Sequence, residues 1–214
     1  MNFGGSVEIT GTTISGNRAN RAGGGIEATA DSSTTLLNVA LNQNNVGVSP
    51  ATAAPGNGGG LHITGNGSAE ITGGTVNGNV AASEGGGLWN GSGTMTVDGT
   101  VIDGNAASGD DADNGGGGIF NVGGTLVVSD ATIQNNVADG ASVAAFSMLG
   151  PRRSTIQPSQ VTPPIVPVAV WKPSADRALL SSVDRWKTTW LAQADRPRPA
   201  MVVRFTSQTM DLLT

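Results

Sequence analysis

Three aspartates crowd one short stretch, GDDADN: Asp110, Asp111 and Asp113. Several carboxylates on a loop suit Ca2+, a hard cation that takes oxygen ligands. The spacing does not fit an EF-hand loop and no GGxGxDxUx repeat accompanies it, so a solvated acidic loop is the competing reading. Ca2+ is the one cofactor the sequence brings into view. Glu27, His62, Trp89 and Phe120 make a second set, each following the Ile or Leu that ends a glycine run. Strand alternation turns them outward. Stacked about 4.8 Å apart, they would form a strip for a glycan or a protein partner. The competing role is cross-strand stacking, or cover by a neighbouring loop. His62 is the single histidine, with no second ligand in view, so it receives no metal role. Proton abstraction from a uronate needs a base, usually with Ca2+ beside it. Residues 1–142 hold no lysine, and their two arginines, Arg18 and Arg21, share one loop. Glycoside hydrolysis needs paired carboxylates on a rigid frame, and the aspartate cluster lies on a loop. No catalytic residue is assigned, and a non-enzyme is expected.

The elements that must position these residues come from a repeat. In ISGN, LNQN, VNGN, IDGN and IQNN the last residues are Asn17, Asn44, Asn79, Asn105 and Asn136. Three residues earlier stand Ile14, Leu41, Val76, Ile102 and Ile133; five before those, Ile9, Leu36, Ile71, Val97 and Val128; two before those, Val7, Thr34, Ala69, Met95 and Leu126. Upstream of the last four copies lie Ile26, Leu61, Leu88 and Ile119, which end the glycine runs. Spacing by two is strand periodicity, and Gly, Asn, Ser and Thr supply turns between about three short strands per copy. Such a unit cannot bury its own apolar face, but stacked copies can. The predicted fold is therefore all-β: a parallel β-helix of about five coils, with the aliphatic columns inward. The asparagines are expected to form a structural ladder, each bonding its counterpart one coil along.

From each ladder asparagine to the next Ile or Leu the distance is 9, 17, 9 and 14 residues. Every variable insertion therefore leaves at one corner, just before the glycines, and residues 45–58 and 106–115 are the long ones. The glycines mark the place where the chain rejoins the coil and packs closely on its neighbour.

Residues 1–142 carry 32 of the 33 glycines, all 17 asparagines and a net charge of −10; residues 143–214 carry eight of ten prolines, three of four tryptophans and a net charge of +5. This contrast divides the chain into a repeat domain, 1–142, and an irregular, poorly ordered tail, 143–214. A helix is expected near residues 174–193, where the pattern is locally amphipathic. A rival account makes the tail a basic adaptor for an anionic partner. Read one base earlier with permitted codons, residues 143–164 become GGGIFNAGTATVNDSAITSNTA, another copy of the repeat. The tail thus reads as a frameshifted continuation of the coils. There is no cysteine, so no disulfide or thiolate site. No apolar run spans a membrane, and the start lacks a signal peptide's basic and apolar parts.

GGGI and GGGL, with a following aliphatic-x-x-N element, resemble the repeats of polymorphic outer membrane proteins and related bacterial surface β-helix proteins. Ile, Leu or Val stands where that family's F-x-x-N element has Phe, so the likeness is to the broader class of right-handed parallel β-helix repeat proteins. The resemblance covers residues 1–142. It implies a right-handed coil and an extracellular or outer-surface, passenger-like scaffold, and it implies no activity. The expected function is a non-catalytic scaffold that serves adhesion or ligand display through its corner loops, with a glycan or a host or cell-surface protein as partner. No nucleic-acid partner is expected. The alternative is a fragment of a polysaccharide-active β-helix enzyme whose site lies outside this chain. The chain begins mid-coil, with Asn2-Phe3-Gly4-Gly5 aligned on Asn121-Val122-Gly123-Gly124. Open sheet ends predict end-to-end self-association.

Overall fold

The computed structural model describes residues 1–47, 56–109 and 114–138, and beyond them the strands 146–148, 154–157, 168–171, 188–190 and 201–204. The chain is a parallel β-solenoid of about four turns, and there is no helix among the described residues. Three sheets run along it. The longest strands are Ser6–Thr10, Ser33–Leu37, Ser68–Thr72, Thr94–Asp98 and Thr125–Ser129, each parallel to the next. Thr13–Ser15, Ala40–Asn42, Thr75–Asn77, Val101–Asp103 and Thr132–Gln134 make the second sheet. Asn2–Phe3, Ile26–Thr29, Leu61–Ile63, Leu88–Asn90 and Ile119–Asn121 make the third, which follows the glycine runs.

The register puts each aliphatic column into one stack. Ile9 pairs with Leu36, Leu36 with Ile71, Ile71 with Val97 and Val97 with Val128. Ile14, Leu41, Val76, Ile102 and Ile133 align in the same way, as do Ile26, Leu61, Leu88 and Ile119. These stacks form one continuous core. It thins at the first coil, where Val7 is exposed and Ile9 and Ile14 are only half-buried, because their strands have a neighbour on one side alone.

A fourth side completes each turn, where three strands were expected. Val80–Ala81, Ala106–Ala107 and Val137–Ala138 form a narrow parallel sheet, which Arg18, Asn45 and Val80 extend as single bridges. It escapes periodicity because each strand is two residues long, too short to alternate. Its inward residues are small: Val46, Ala81 and Ala107 are buried.

Beyond residue 138, Phe146–Met148 adds to the third sheet with Phe146 opposite Ile119, and Ser154–Gln157 adds to the first with Ile156 opposite Val128. Phe146 is the position that the neighbouring frame reads as the Ile of GGGI. Val168–Trp171 pairs with Phe146–Met148, and Met201–Arg204 then pairs antiparallel with it. The expected helix over 174–193 is corrected in part: Thr188–Trp190 is a strand, antiparallel to Met201–Arg204. Two β-branched threonines and a tryptophan favour extended backbone once an edge is offered. The rest of that stretch lies outside the described residues.

Candidate functional site

At the corner after the second sheet the five asparagines stand in line. Asn17, Asn44, Asn79 and Asn105 each donate Nδ2–H to the Oδ1 of the asparagine one coil further on, at 3.0, 3.0, 2.9 and 2.8 Å. Each also donates its backbone N–H to the same oxygen. From the second coil onward Nδ2 donates backward too, to the carbonyls of Ile14, Leu41, Val76 and Ile102. Asn44, Asn79 and Asn105 are fully buried. Every polar atom of these amides is engaged, which leaves them nothing to offer a ligand. A second asparagine position, at which the sequence aligned Asn2 with Asn121 but assigned no bonds, also includes Asn90. Asn90 donates to Asn121 Oδ1 at 2.7 Å, and Asn2 and Asn121 each close the turn behind them through the carbonyls of Gly5 and Gly124. The N-G-S-G, N-V-G-G and N-F-G-G strings that follow these residues were the available signal.

At the opposite end of the insertions the glycine runs lead into the third sheet. Gly58 has φ +70°, and a Cβ there would lie 2.7 Å from the Cβ of His62; one on Gly59 would lie 2.3 Å from the Gly86 carbonyl oxygen. The first glycine therefore lets the chain fold back over the side chain that ends the motif. The second lets neighbouring coils touch backbone to backbone.

That fold-back brings two columns together. The strand column runs Glu27, His62, Trp89, Phe120 in register. The corner column holds the residues just before the glycines: Ala22 bridges Asn57, and the Gly58 N–H donates to the Glu84 carbonyl at 3.0 Å. Trp89 Nε1–H donates to Glu84 Oε2 at 2.9 Å, and Asn57 Nδ2–H donates to the same oxygen at 3.1 Å. The Glu84 N–H returns a bond to Asn57 Oδ1 at 3.2 Å. One coil earlier Arg21 pairs with Glu27. Between them His62 stacks on Trp89, with ring centroids 4.4 Å apart and planes 13° from parallel. Asn57, Glu84 and Arg21 were missed as partners of this column. Their signal was position: Asn57 and Glu84 stand five residues before His62 and Trp89, on the other side of GGG.

The column that alternation turned outward is on the outer side of its sheet but is not an open strip. His62 and Phe120 are fully buried, and Glu27 and Trp89 are half-buried. The corner closes over them. Neither ring nitrogen of His62 has a hydrogen-bond partner. Burial, and then the charge of Arg21, lower its pKa from 6.5 to about 4, so at neutral pH it is uncharged. Asp110, Asp111 and Asp113 lie outside the described residues. Among the described residues no group of three or more His, Cys, Asp or Glu side chains could hold a metal ion. Comparisons with protein-family models, with curated proteins and with solved structures find no match.

Proposed function

We propose that this chain is a non-catalytic binding scaffold that presents the insertions of one corner to a glycan or a cell-surface protein. One observation carries the reading. The long insertions arise between the asparagine ladder and the glycine run, where the spacing varies from 9 to 17 residues, whereas the step from the third sheet to the first varies by one residue and the three long sides keep an unbroken register. A rigid solenoid with variable loops confined to one edge separates stability from recognition, because loops there change without disturbing the stacked core. The likeness of GGGI and GGGL to bacterial surface repeats supports an extracellular or outer-surface setting. On the first sheet the outward Glu8 and Glu70 sit two coils apart, separated by Thr35, and Asp98, on the strand after Glu70, accepts from Ser129 Oγ at 2.6 Å; on the second sheet Asp103 accepts from Gln134 and Asn135.

The reading needs no cofactor. Calcium titrated into the protein in a calorimeter is expected to give neither heat nor a rise in melting temperature. The test of function is a glycan array and a panel of cell-surface extracts, probed with the chain and with a variant whose residues 48–55 are replaced by a two-residue glycine linker. Binding by the parent and its loss in the variant, without release of sugar products, supports the scaffold. Products released from a polysaccharide, or binding equal in both proteins, refutes it.

A further inference from the structure

His62 is placed where a proton finds no acceptor. Its side chain is fully buried, both ring nitrogens lack partners, and one face lies on the Trp89 ring. The charged groups set around it are Arg21 and Glu27 in the preceding coil and Glu84 in the following one. Both carboxylates are engaged: Glu27 by the Arg21 guanidinium, Glu84 by the Trp89 indole and the Asn57 amide. An imidazolium here would lie beside a guanidinium. It could gain a counter-ion only by taking Glu27 from Arg21 or Glu84 from Asn57 and Trp89. A buried charge without such a partner is unfavourable enough to break these bonds instead.

We infer that Asn57, Glu84 and His62 form an acid-sensitive latch on the corner insertion, which a proton on His62 opens by drawing Glu84 away from Asn57 and Trp89. Asn57 is where that insertion rejoins the coil. Gly56 N–H donates to the Arg21 carbonyl at 2.7 Å, Gly23 N–H to the Asn57 carbonyl at 3.1 Å and Gly58 N–H to the Glu84 carbonyl at 3.0 Å. Loss of the Asn57–Glu84 side-chain bonds leaves the backbone bonds here, which include Ser83 N–H to the Gly56 carbonyl at 3.1 Å, without that side-chain brace. Opening exposes the imidazole to water and returns it toward its ordinary proton affinity, so opening takes up a proton. The inference rests on the corner being the surface this scaffold displays, and it adds that acid alters that display.

Hydrogen exchange of the full chain, read by mass spectrometry at pH 7.5 and pH 4.5 and corrected for intrinsic rates, tests the latch. Exchange of the Gly56–His62 amides is expected to rise about 10- to 100-fold at pH 4.5, while Thr94–Asp98 stays protected. His62→Phe keeps a ring on Trp89 and removes the proton site, so the rise should vanish. Glu84→Gln keeps an acceptor for Trp89 and Asn57 but removes the charge that a protonated His62 recruits, so it should cut the rise by at least half its logarithm. No rise in the parent protein, an equal rise in His62→Phe or Glu84→Gln, or an equal rise in Thr94–Asp98, which marks acid unfolding of the whole coil, each overturns the latch. No ligand enters the measurement, so failure of the binding assay leaves it standing, and its own failure leaves the scaffold reading intact.

Discussion

Replacing Asn79 by alanine puts the ladder to a quantitative test. The Asn79 side chain makes four hydrogen bonds. It donates to the Leu41 carbonyl at 2.7 Å and to Asn105 Oδ1 at 2.9 Å, and it accepts from the N–H and Nδ2–H of Asn44 at 2.9 and 3.0 Å. Alanine leaves the Leu41 carbonyl and the Asn44 N–H without these partners in a site closed to water. Asn44 Nδ2 retains the Ile14 carbonyl, and Asn105 Oδ1 retains the Asn79 N–H. The Asn44 N–H is orphaned at about 1–3 kcal/mol, while the Leu41 carbonyl keeps its place in the strand ladder; with the weakened contacts at Leu41, Asn44 Nδ2 and Asn105 Oδ1 the total is about 3 kcal/mol. Asn17 carries the same side chain at the open first coil, where it is exposed and makes one ladder bond and one bond to the Ser15 carbonyl. Water can replace both, so Asn17→Ala should cost about 1 kcal/mol or less. Urea unfolding at pH 7 followed by circular dichroism gives both values. Costs for Asn79→Ala and Asn17→Ala that agree within about 1 kcal/mol would refute the reasoning, because the ladder would then stabilise no more than solvent does.

Burial of neutral His62 makes stability depend on pH in a defined direction. Its folded pKa of about 4 lies below its ordinary 6.5, so the unfolded chain binds the extra proton. This contribution is full above pH 6.5 and is lost as the pH falls toward 4, by about 2.5 kcal/mol at pH 4.5. His62→Phe should show a curve flatter by that amount in urea midpoints, and parallel curves count against it. Gly59→Ala places a methyl group 2.3 Å from the Gly86 carbonyl oxygen and 2.6 Å from that of Val80, and should cost more than about 3 kcal/mol. Gly16→Ala, at φ +67° with nothing within 4 Å, should cost about 1 kcal/mol; equal melting temperatures for the two variants would contradict this. Nucleotides across residues 143–164 should permit GGGIFNAGTATVNDSAITSNTA in the neighbouring frame, and a codon there that forbids it removes the frameshift account.

Most of the fold was legible because a solenoid writes its tertiary contacts into its period. Ile9 and Leu36 touch because they hold the same place in successive coils, so aligning the copies is equivalent to pairing the strands. The same logic located the asparagine corner and the side from which the insertions leave. The fourth side was not legible, since two residues carry no alternation; Asn2 and Asn121 aligned in the sequence, but Asn90 and the bonds of this position did not emerge, because Ala28 and Ile63 interrupt the column.

What the sequence determined by itself was the stacking: which residues lie above one another, which face inward, and where loops are tolerated. Alternation also assigned Glu27, His62, Trp89 and Phe120 to the outer side of their sheet. Only the tertiary structure decided that this side is closed. The glycine run after Glu84 turns that residue back over Trp89, and His62 beneath the same corner loses its water. Alternation reports direction relative to one strand, whereas burial depends on what the chain lays across it. Here the glycines, which have no side chains to hold the layers apart, let the corner close.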